Sequence, residues 1–205
     1  MKNSTPRTPV SISDWVQKLA AIPSSEFTHD NVQRIIESHS LLLESLEPYI
    51  VFSPERYTRN LIFKNEIFEC LAMCWDIGQS SGVHDHNDRL GWMYLASGRL
   101  FIQSYRIESR DPATRTCRLT ATYGVELNAA QASDVDREHG VHKVSNLPKF
   151  GERAVSLHLY QLPMESCEVY SLEHGTYATV PMAYTTEYGQ RQNDRSTHRA
   201  AQAGS

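Results

Sequence analysis

Apolar residues recur at helical spacing in two segments near the start of the chain. Ile12 to Ala20 places apolar side chains on one face, behind polar residues that can cap a helix. Asp30 to Leu46 repeats this pattern at greater length, with Pro48 just beyond its end. The sequence therefore predicts two N-terminal α-helices, within residues 11–48.

After Pro54 the pattern changes to short runs of aromatic and β-branched residues, separated by clusters of Gly, Asp, Asn and Pro. The predicted strands are Tyr57 to Lys64, Ile67 to Trp75, Gly82 to Asp85, Trp92 to Ser97, Arg99 to Glu108, Cys117 to Glu126, Val141 to Ser145, Ala154 to Tyr160 and Cys167 to Ser171. Many short strands at close spacing are typical of a sandwich or barrel. We expect a β-barrel over about residues 55–188 and, because the end of the chain is polar and without periodicity, a disordered tail at 189–205.

Length and charge limit the number of domains and the kinds of partner that we expect for this protein. The chain has 205 residues, 40% of them hydrophobic, which favours one domain over residues 1–188. Lys and Arg (20) nearly balance Asp and Glu (24), so we expect no nucleic-acid partner and no anionic membrane surface. The first residues lack the apolar core of an export signal, and no apolar run is long enough to span a bilayer, so we expect a cytoplasmic protein.

Four cysteines, Cys70, Cys74, Cys117 and Cys167, are too sparse for a disulfide-stapled domain. The first two resemble one half of a zinc site, but no second pair with suitable spacing follows. Both also lie in a strand-like run. We therefore expect buried structural thiols, kept reduced in the cytoplasm.

Three histidines carry the first candidate chemistry. His84 and His86 are two residues apart, so on a strand both imidazoles point to the same face. His142 opens another predicted strand, which a barrel can bring beside the first pair. Three neutral imidazoles leave coordination positions open on a redox metal. Taken alone, the first pair can equally be polar surface residues near a turn.

Two glycines around the first pair, and an asparagine four residues after the last histidine, favour metal binding. Together they reproduce the two cupin motifs, as Gly78, His84, His86, Gly98, His142 and Asn146. The chain is thus identified as a cupin, a mainly β fold built on a double-stranded β-helix or jelly-roll-like barrel. The glutamate that the first motif usually carries is replaced by Gly91, so the predicted ligands are all neutral.

Longer blocks resemble the cysteine dioxygenase family, the cupin thiol dioxygenases. They are YTRNL at 57–61, CW at 74–75, SSGVHDHND at 80–88, HKVSN at 142–146 and SLHLY at 156–160. The resemblance covers about Tyr57 to Tyr188. It implies one Fe(2+) per chain, held by His84, His86 and His142, and a reaction that adds both atoms of O2 to the sulfur of L-cysteine to give cysteine sulfinate.

The resemblance also assigns the substrate-binding residues. Arg59 matches the arginine that binds the substrate carboxylate, with Tyr57 close by, and an arginine fork suits a carboxylate. Met182 matches a residue that lines the pocket, and Cys167 a cysteine near its mouth. Without the resemblance, Arg59 can also be a solvated residue at the start of a strand.

Ser156, His158 and Tyr160 alternate along one predicted strand, so their side chains share a face. By resemblance the Tyr160 phenol reaches the metal and substrate, while His158 and Ser156 orient it through hydrogen bonds. The alternative is an ordinary strand whose tyrosine packs in the core without a catalytic role. Animal relatives have a cysteine at the position of Gly91 that becomes linked to this tyrosine, so the chain resembles bacterial members without the crosslink.

Other readings stay open at this point. A 3-mercaptopropionate dioxygenase would use the same metal, although that subgroup tends to have glutamine where this chain has Arg59. A cupin that binds a metal or small ligand without chemistry is a further alternative. His139 can compete with His142 as a ligand, and three histidines also suit zinc, nickel, copper or manganese. Nothing in the sequence requires more than a monomer.

Overall fold

The computed structural model of the chain describes residues 7–87, 89–134 and 140–191. Two α-helices, α1 (Ile12–Ala20) and α2 (His29–Ser38), come early in the chain. Short 3-10 helices occupy Ser24–Glu26, Leu43–Tyr49 and Pro148–Phe150. Across these described ranges, no helix has the length and apolar character needed to cross a membrane.

Most of the remaining residues are in strands. Within the described ranges these are β1 (Thr8–Val10), β2 (His39–Leu41), β3 (Thr58–Lys64), β4 (Phe68–Trp75), β5 (Val83–His84), β6 (Gly91–Ser97), β7 (Arg99–Asp111), β8 (Thr116–Asn128), β9 (Ala132–Asp134), β10 (Val141–Ser145), β11 (Ala154–Gln161), β12 (Ser166–Ser171), β13 (Thr176–Pro181), β14 (Thr186–Glu187) and β15 (Gln190–Arg191). All nine predicted strands are present, with their ends shifted by at most three residues.

The strands form a barrel and a second sheet. The barrel closes in the order β10, β5, β12, β13, β8 and β7, and the sheet runs β15, β14, β3, β4, β11, β6 and β9. Neighbours are antiparallel except that β14 pairs with β3 in parallel, and β1 and β2 form a separate parallel pair. This mainly β architecture, with two α-helices near its start, confirms the predicted cupin fold.

The centre of the second sheet is covered on both faces. All eight residues of β4 are buried, because Leu71, Met73 and Trp75 pack towards the barrel strands while Cys70 and Cys74 pack towards the helices. Burying one large apolar side chain contributes roughly 2 kcal/mol, so the two-sided burial makes this strand a rigid base. The site described below is built on its barrel-facing side.

The four cysteines are free and buried, which agrees with the predicted structural thiols. Cys70 and Cys74 belong to the cluster on the helix side of the sheet, whereas the three histidines lie on the barrel side. Burial raises the pKa of both thiols, and both stay protonated. Among the described residues, this pair belongs to no group of three potential metal ligands.

The second helix is shorter than predicted. It ends at Ser38, and the next three residues form β2, which pairs with Thr8–Val10. The Ser38 hydroxyl and His39 Nδ1 both donate to the Ile35 carbonyl, at 3.2 and 2.9 Å, so side chains replace the helical backbone bond there. The apolar residues that follow belong to the 3-10 helix at Leu43–Tyr49, whose different period the sequence pattern did not distinguish.

Six strands were not predicted. Five of them have only two or three residues, too few for an alternating pattern, and Thr176–Pro181 ends in a proline that argues against a strand. Gln190–Arg191 lies in the segment predicted as a disordered tail, but it forms a hairpin with Thr186–Glu187. The rest of that segment, 192–205, lies outside the described residues.

Gly98 closes the hairpin between β6 and β7 in a conformation that other residues rarely adopt. Its φ is +78°, and a Cβ there would lie 2.4 Å from the Arg153 carbonyl oxygen and 2.7 Å from the Cα of Ala154. We expect Gly98→Ala to lower the free energy of unfolding by about 3 kcal/mol or more, through backbone strain and overpacking together. Urea denaturation measures this.

Gly151 provides the control, because its φ is +68° but no atom of the described residues lies within 4 Å of the position that a Cβ would take. Gly151→Ala should therefore cost only the strain of the left-handed backbone, about 1 kcal/mol. Equal losses in the two variants would mean that the backbone at Arg153 and Ala154 moves aside, and would contradict tight packing at Gly98.

Candidate metal centre

Two strands of the barrel place two of the three histidines side by side. β5 and β10 are antiparallel, and His84 lies directly opposite His142 in their register, with ring centroids 4.5 Å apart. One ligand atom from each of His84, His86 and His142 lies within 4.8 Å of the others. The three histidines singled out in the sequence therefore converge on one point.

His86 reaches this point in a different way from that predicted. β5 ends at His84, so the two histidines do not alternate along one strand. His86 lies in the turn that follows, where its carbonyl accepts a hydrogen bond from the Arg89 amide at 3.2 Å and Asn87 has a φ of 53°. Its ring lies 5.2 Å from that of His84 and 5.0 Å from that of His142. The turn that follows β5 therefore orients His86 towards the other two histidines.

The backbone fixes the orientation of two of the imidazoles. Nδ1 of His84 lies 3.0 Å from the Gly82 carbonyl oxygen, and Nδ1 of His142 lies 3.0 Å from that of Gly140. A carbonyl only accepts, so each Nδ1 carries the proton and each Nε2 presents a lone pair. This is the arrangement in which histidines bind metals.

Burial, with a smaller contribution from the neighbouring His86, lowers the pKa of His84 to about 3. The imidazole is therefore neutral at physiological pH and available as a ligand without losing a proton. Three neutral nitrogen donors with no carboxylate suit a divalent transition metal. The residues present thus fit a metal centre of the cupin type.

Asn146 has a structural position. It is fully buried, and its Nδ2 donates to the carbonyl oxygens of Trp75 and Glu152 at 3.1 and 2.9 Å. It therefore ties the end of β10, which carries His142, to the end of β4. His139, the competing candidate ligand, lies outside the described residues.

A cavity of about 140 Å³ adjoins His84. Its polar lining includes Arg59, Tyr57, His84, His158 and Tyr160. Its apolar lining includes Met73, Trp75, Val144, Met164 and Met182, and Cys167 also lines it. The residues that the resemblance assigned to substrate binding are therefore brought together, in a space suited to a small molecule.

A chain of hydrogen bonds runs behind the cavity along β11. Trp75 Nε1 donates to Ser156 Oγ at 2.9 Å, Ser156 Oγ lies 2.9 Å from His158 Nε2, and His158 Nδ1 lies 3.1 Å from the Tyr160 hydroxyl. All four side chains are buried. The Tyr160 ring lies 4.8 Å from the ring of His86, beside the three histidines.

The direction of these hydrogen bonds follows from Trp75 and Ser156 together. An indole N–H can only donate, so Ser156 Oγ accepts from Trp75. Ser156 is fully buried, and His158 Nε2 is the acceptor that the described residues offer its own hydroxyl proton, so that proton is directed to Nε2. Burial lowers the pKa of His158 well below its ordinary value, so the ring is neutral and its one proton is on Nδ1. His158 therefore donates to the Tyr160 oxygen, and the phenol directs its own proton away from His158.

Arg59 is a buried cation at one end of the cavity. Its Nη2 lies 4.0 Å from Oε1 of Glu69, beyond hydrogen-bonding distance, and both side chains are almost inaccessible to solvent. Its Nε and Nη2 have no hydrogen-bond partner among the described residues. Unsatisfied buried donors are costly, so this end of the cavity is suited to an anion.

The remaining predicted site residues surround the same cavity. The Tyr57 ring stacks on Trp75 at 4.5 Å, and burial raises the pKa of the Tyr57 phenol. Burial likewise raises the pKa of Cys167, whose thiol stays protonated. Gly91 lies opposite Tyr160 in the β6–β11 register, where it offers no side chain for a crosslink.

Sequence reasoning missed two features of the site. Trp75 was noted only as part of a family block, although it sets the direction of the hydrogen bonds behind Tyr160. Glu69 was not singled out at all. Its signal was present, because it is the single charge in the apolar strand FECLAMCW, and a buried carboxylate needs a partner.

Comparisons with known proteins agree with this geometry. A sequence model of the family described as Cysteine dioxygenase type I matches residues 1–173. Cysteine dioxygenase type 1 of Danio rerio is 30% identical over 185 residues, which cover 89% of this chain and 90% of that protein. The Rattus norvegicus protein of the same name is 28% identical over the same shares.

Solved structures resemble the chain more distantly. The match to a cupin superfamily protein from Desulfitobacterium hafniense covers 56% of this chain and 84% of that protein. The sequence identity is 9% and the TM-score is 0.38. The family match and the relatives each span most of the chain, including the segments in which the three converging histidines lie. The chain belongs to the cysteine dioxygenase family.

Proposed function

We propose that the protein is an iron(II)-dependent dioxygenase that converts L-cysteine to cysteine sulfinate. The observation that carries the proposal is the buried Arg59, with two unsatisfied donors, in the same small cavity as His84. A mercapto acid has a carboxylate at one end, which the Arg59 cation would bind, and a thiolate at the other, which the metal centre would bind. Oxygen uptake with sulfinate formation tests it.

His84, His86 and His142 would hold the metal. When bound, Fe(2+) would supply Lewis acidity towards a thiolate and the one-electron chemistry that dioxygen requires. Iron is proposed here on the family membership, because three neutral imidazoles also accept copper or zinc, which bind such sites more tightly.

The protein residues would orient the substrate and keep water out. Arg59 would bind the carboxylate through Nε and Nη2, which fixes the rest of the molecule relative to the histidines. Met73, Met164 and Met182 make most of the nearby wall apolar, so few waters would share the cavity with the substrate. The enclosed volume of about 140 Å³ favours a small thiol over a peptide.

Tyr160 would hold a proton at its Oη for the substrate. His158 donates to that oxygen, so the phenol proton is directed to another acceptor, and the cavity lies beside it. A developing negative charge on the substrate would be stabilised by this donor without reorganisation of the chain. Ser156 and Trp75 would act by holding His158 in the required tautomer.

Tyr160→Phe removes this donor while keeping the ring beside His86. We expect the turnover number to fall by about 10- to 100-fold, the loss typical of one preorganised donor, while metal content and cysteine affinity stay near wild type. Steady-state kinetics on metal-loaded protein measure the effect. A variant with normal turnover would exclude the phenol proton from the reaction.

A 3-mercaptopropionate dioxygenase is the nearest alternative, since that thiol has the same carboxylate but no amine. The proposal favours cysteine because Arg59 occupies the position where the mercaptopropionate subgroup tends to have glutamine. Turnover of the two thiols by the same preparation decides between them. A clear preference for mercaptopropionate would overturn the choice of substrate but leave the proposed metal centre and the dioxygenase reaction in place.

A cupin that binds a ligand without chemistry belongs to a different functional class. The hydrogen-bonded series from Trp75 to Tyr160 argues against it, because a passive site has no need of a directed phenol proton. Iron-loaded protein that consumes no oxygen with any small thiol would favour this alternative. The four free thiols support a reducing compartment such as the cytoplasm, and we propose a monomer.

A further inference from the structure

Glu69 is a buried carboxylate that the proposed reaction does not use. It lies on β4 directly opposite Tyr160 of β11, and its side chain has no exposure to solvent. An ionised carboxylate in such a place requires partners, because leaving water is costly. Three groups surround it, namely Arg59, the Met164 amide and Tyr184.

Two of these partners hold the carboxylate in place. The Met164 amide donates to Oε1 at 3.2 Å, and the Tyr184 hydroxyl donates to Oε2 at 2.5 Å. Burial and the neighbouring Glu69 raise the pKa of Tyr184, so its hydroxyl keeps the proton that it donates. Lys64 Nζ in turn lies 3.4 Å from the Tyr184 oxygen.

The third partner is Arg59, and here the geometry is incomplete. Oε1 of Glu69 lies 4.0 Å from Nη2 of Arg59, close enough for strong attraction but too far for a hydrogen bond. Arg59 lines the cavity, whereas Glu69 is not among the described residues that line it. The Glu69 carboxylate therefore acts on the Arg59 guanidinium from outside the cavity lining.

We propose that Glu69 is a counter-anion that limits how strongly Arg59 binds a substrate carboxylate, and so sets the affinity of the site for mercapto acids. The inference rests on the proposed function, since it needs a carboxylate-bearing ligand. Glu69 compensates Arg59 when the cavity holds no ligand. When a substrate carboxylate arrives, two anions share one cation and repel each other, which weakens binding.

The test is the equilibrium affinity of the anaerobic, iron-loaded protein for two thiols, measured by calorimetry. L-cysteine carries the carboxylate, and cysteamine is the same molecule without it. Glu69→Gln keeps the size of the side chain and an acceptor for the Met164 amide but removes the charge. We expect its Kd for L-cysteine to fall by about tenfold, with the Kd for cysteamine unchanged.

Two further variants separate a charge effect from a structural one. Glu66→Gln makes the same change in net charge at an exposed position close by on the chain, and should alter neither affinity. Tyr184→Phe removes the hydroxyl that shares the Glu69 charge, so the carboxylate should compete more strongly and the Kd for L-cysteine should rise severalfold. A merely structural role would instead weaken the binding of both thiols in both the Glu69→Gln and the Tyr184→Phe variants.

Thermal melting gives a readout that does not depend on turnover. Without ligand, Glu69→Gln leaves Arg59 as an unpaired buried cation and should melt at a lower temperature than wild type. Saturating L-cysteine should raise its melting temperature by more than it raises that of wild type, because tighter binding stabilises the folded state further.

The outcomes distinguish this inference from the proposed function. Wild-type protein that binds L-cysteine no better than cysteamine would contradict the proposed role of Arg59, and the inference with it. Wild-type protein that prefers L-cysteine, with a Glu69→Gln variant whose affinity is unchanged or weaker, would overturn only the role of Glu69.

Discussion

Replacing His86 with alanine is expected to abolish metal retention. The other two histidines remain held by backbone carbonyls, at 3.0 Å in each case, but two neutral nitrogens are a poor site for a divalent ion. We expect the affinity for iron to fall by more than about 100-fold, beyond the loss seen when an outer hydrogen bond is removed. Metal analysis after desalting of anaerobically loaded protein measures the result.

His174→Ala is the matched control, because this histidine is exposed in the turn between β12 and β13. It should keep the wild-type metal content, and both variants should keep the wild-type circular dichroism spectrum. Iron content in His86→Ala equal to that of wild type would refute the assignment of this residue as a ligand.

Replacing Arg59 with glutamine is expected to remove the preference for carboxylate-bearing thiols. Two charge-assisted hydrogen bonds would be lost, and the kcat/KM for L-cysteine should fall by about 100-fold or more. Metal content should be unchanged, since Arg59 is not one of the three proposed ligands. Kinetics with L-cysteine and cysteamine measure the change, and cysteamine should be affected far less.

The variant also leaves Glu69 without its cation, so a loss of stability has to be separated from a loss of binding. The double variant Arg59→Gln, Glu69→Gln removes both charges and should recover most of the melting temperature lost in the single variant. It should not recover turnover of L-cysteine. Recovery of turnover by the double variant would mean that Arg59 acts through stability alone.

The fold was predictable to the extent that each element has a periodic pattern of its own. Apart from β5, the strands that carry the site are β3, β4, β10 and β11. All four were predicted nearly to the residue because they are short runs rich in apolar and β-branched residues between clear turn signals. The end of α2 was missed because its termination depends on side-chain hydrogen bonds to the Ile35 carbonyl. The strands of two or three residues exist only through their pairing partners.

The candidate site was predictable in its membership but not in its mechanics. Motif spacing identified the three histidines, yet His86 is aimed by the turn around Asn87 and not by strand alternation. The roles of Trp75 and Glu69 depend on contacts between residues far apart in the sequence. The indole reaches Ser156 across 81 positions, and Tyr184 reaches Glu69 across 115. No local pattern encodes such contacts.

The most direct test of the central claim is oxygen uptake by anaerobically iron-loaded protein on addition of L-cysteine, with the product quantified in the same samples. The proposed function predicts one O2 consumed for each cysteine sulfinate formed, since both oxygen atoms are transferred to one sulfur. No oxygen uptake with L-cysteine, but turnover of another mercapto acid, would contradict the choice of substrate. No oxygen uptake with any small thiol, despite bound iron, would contradict the dioxygenase function itself.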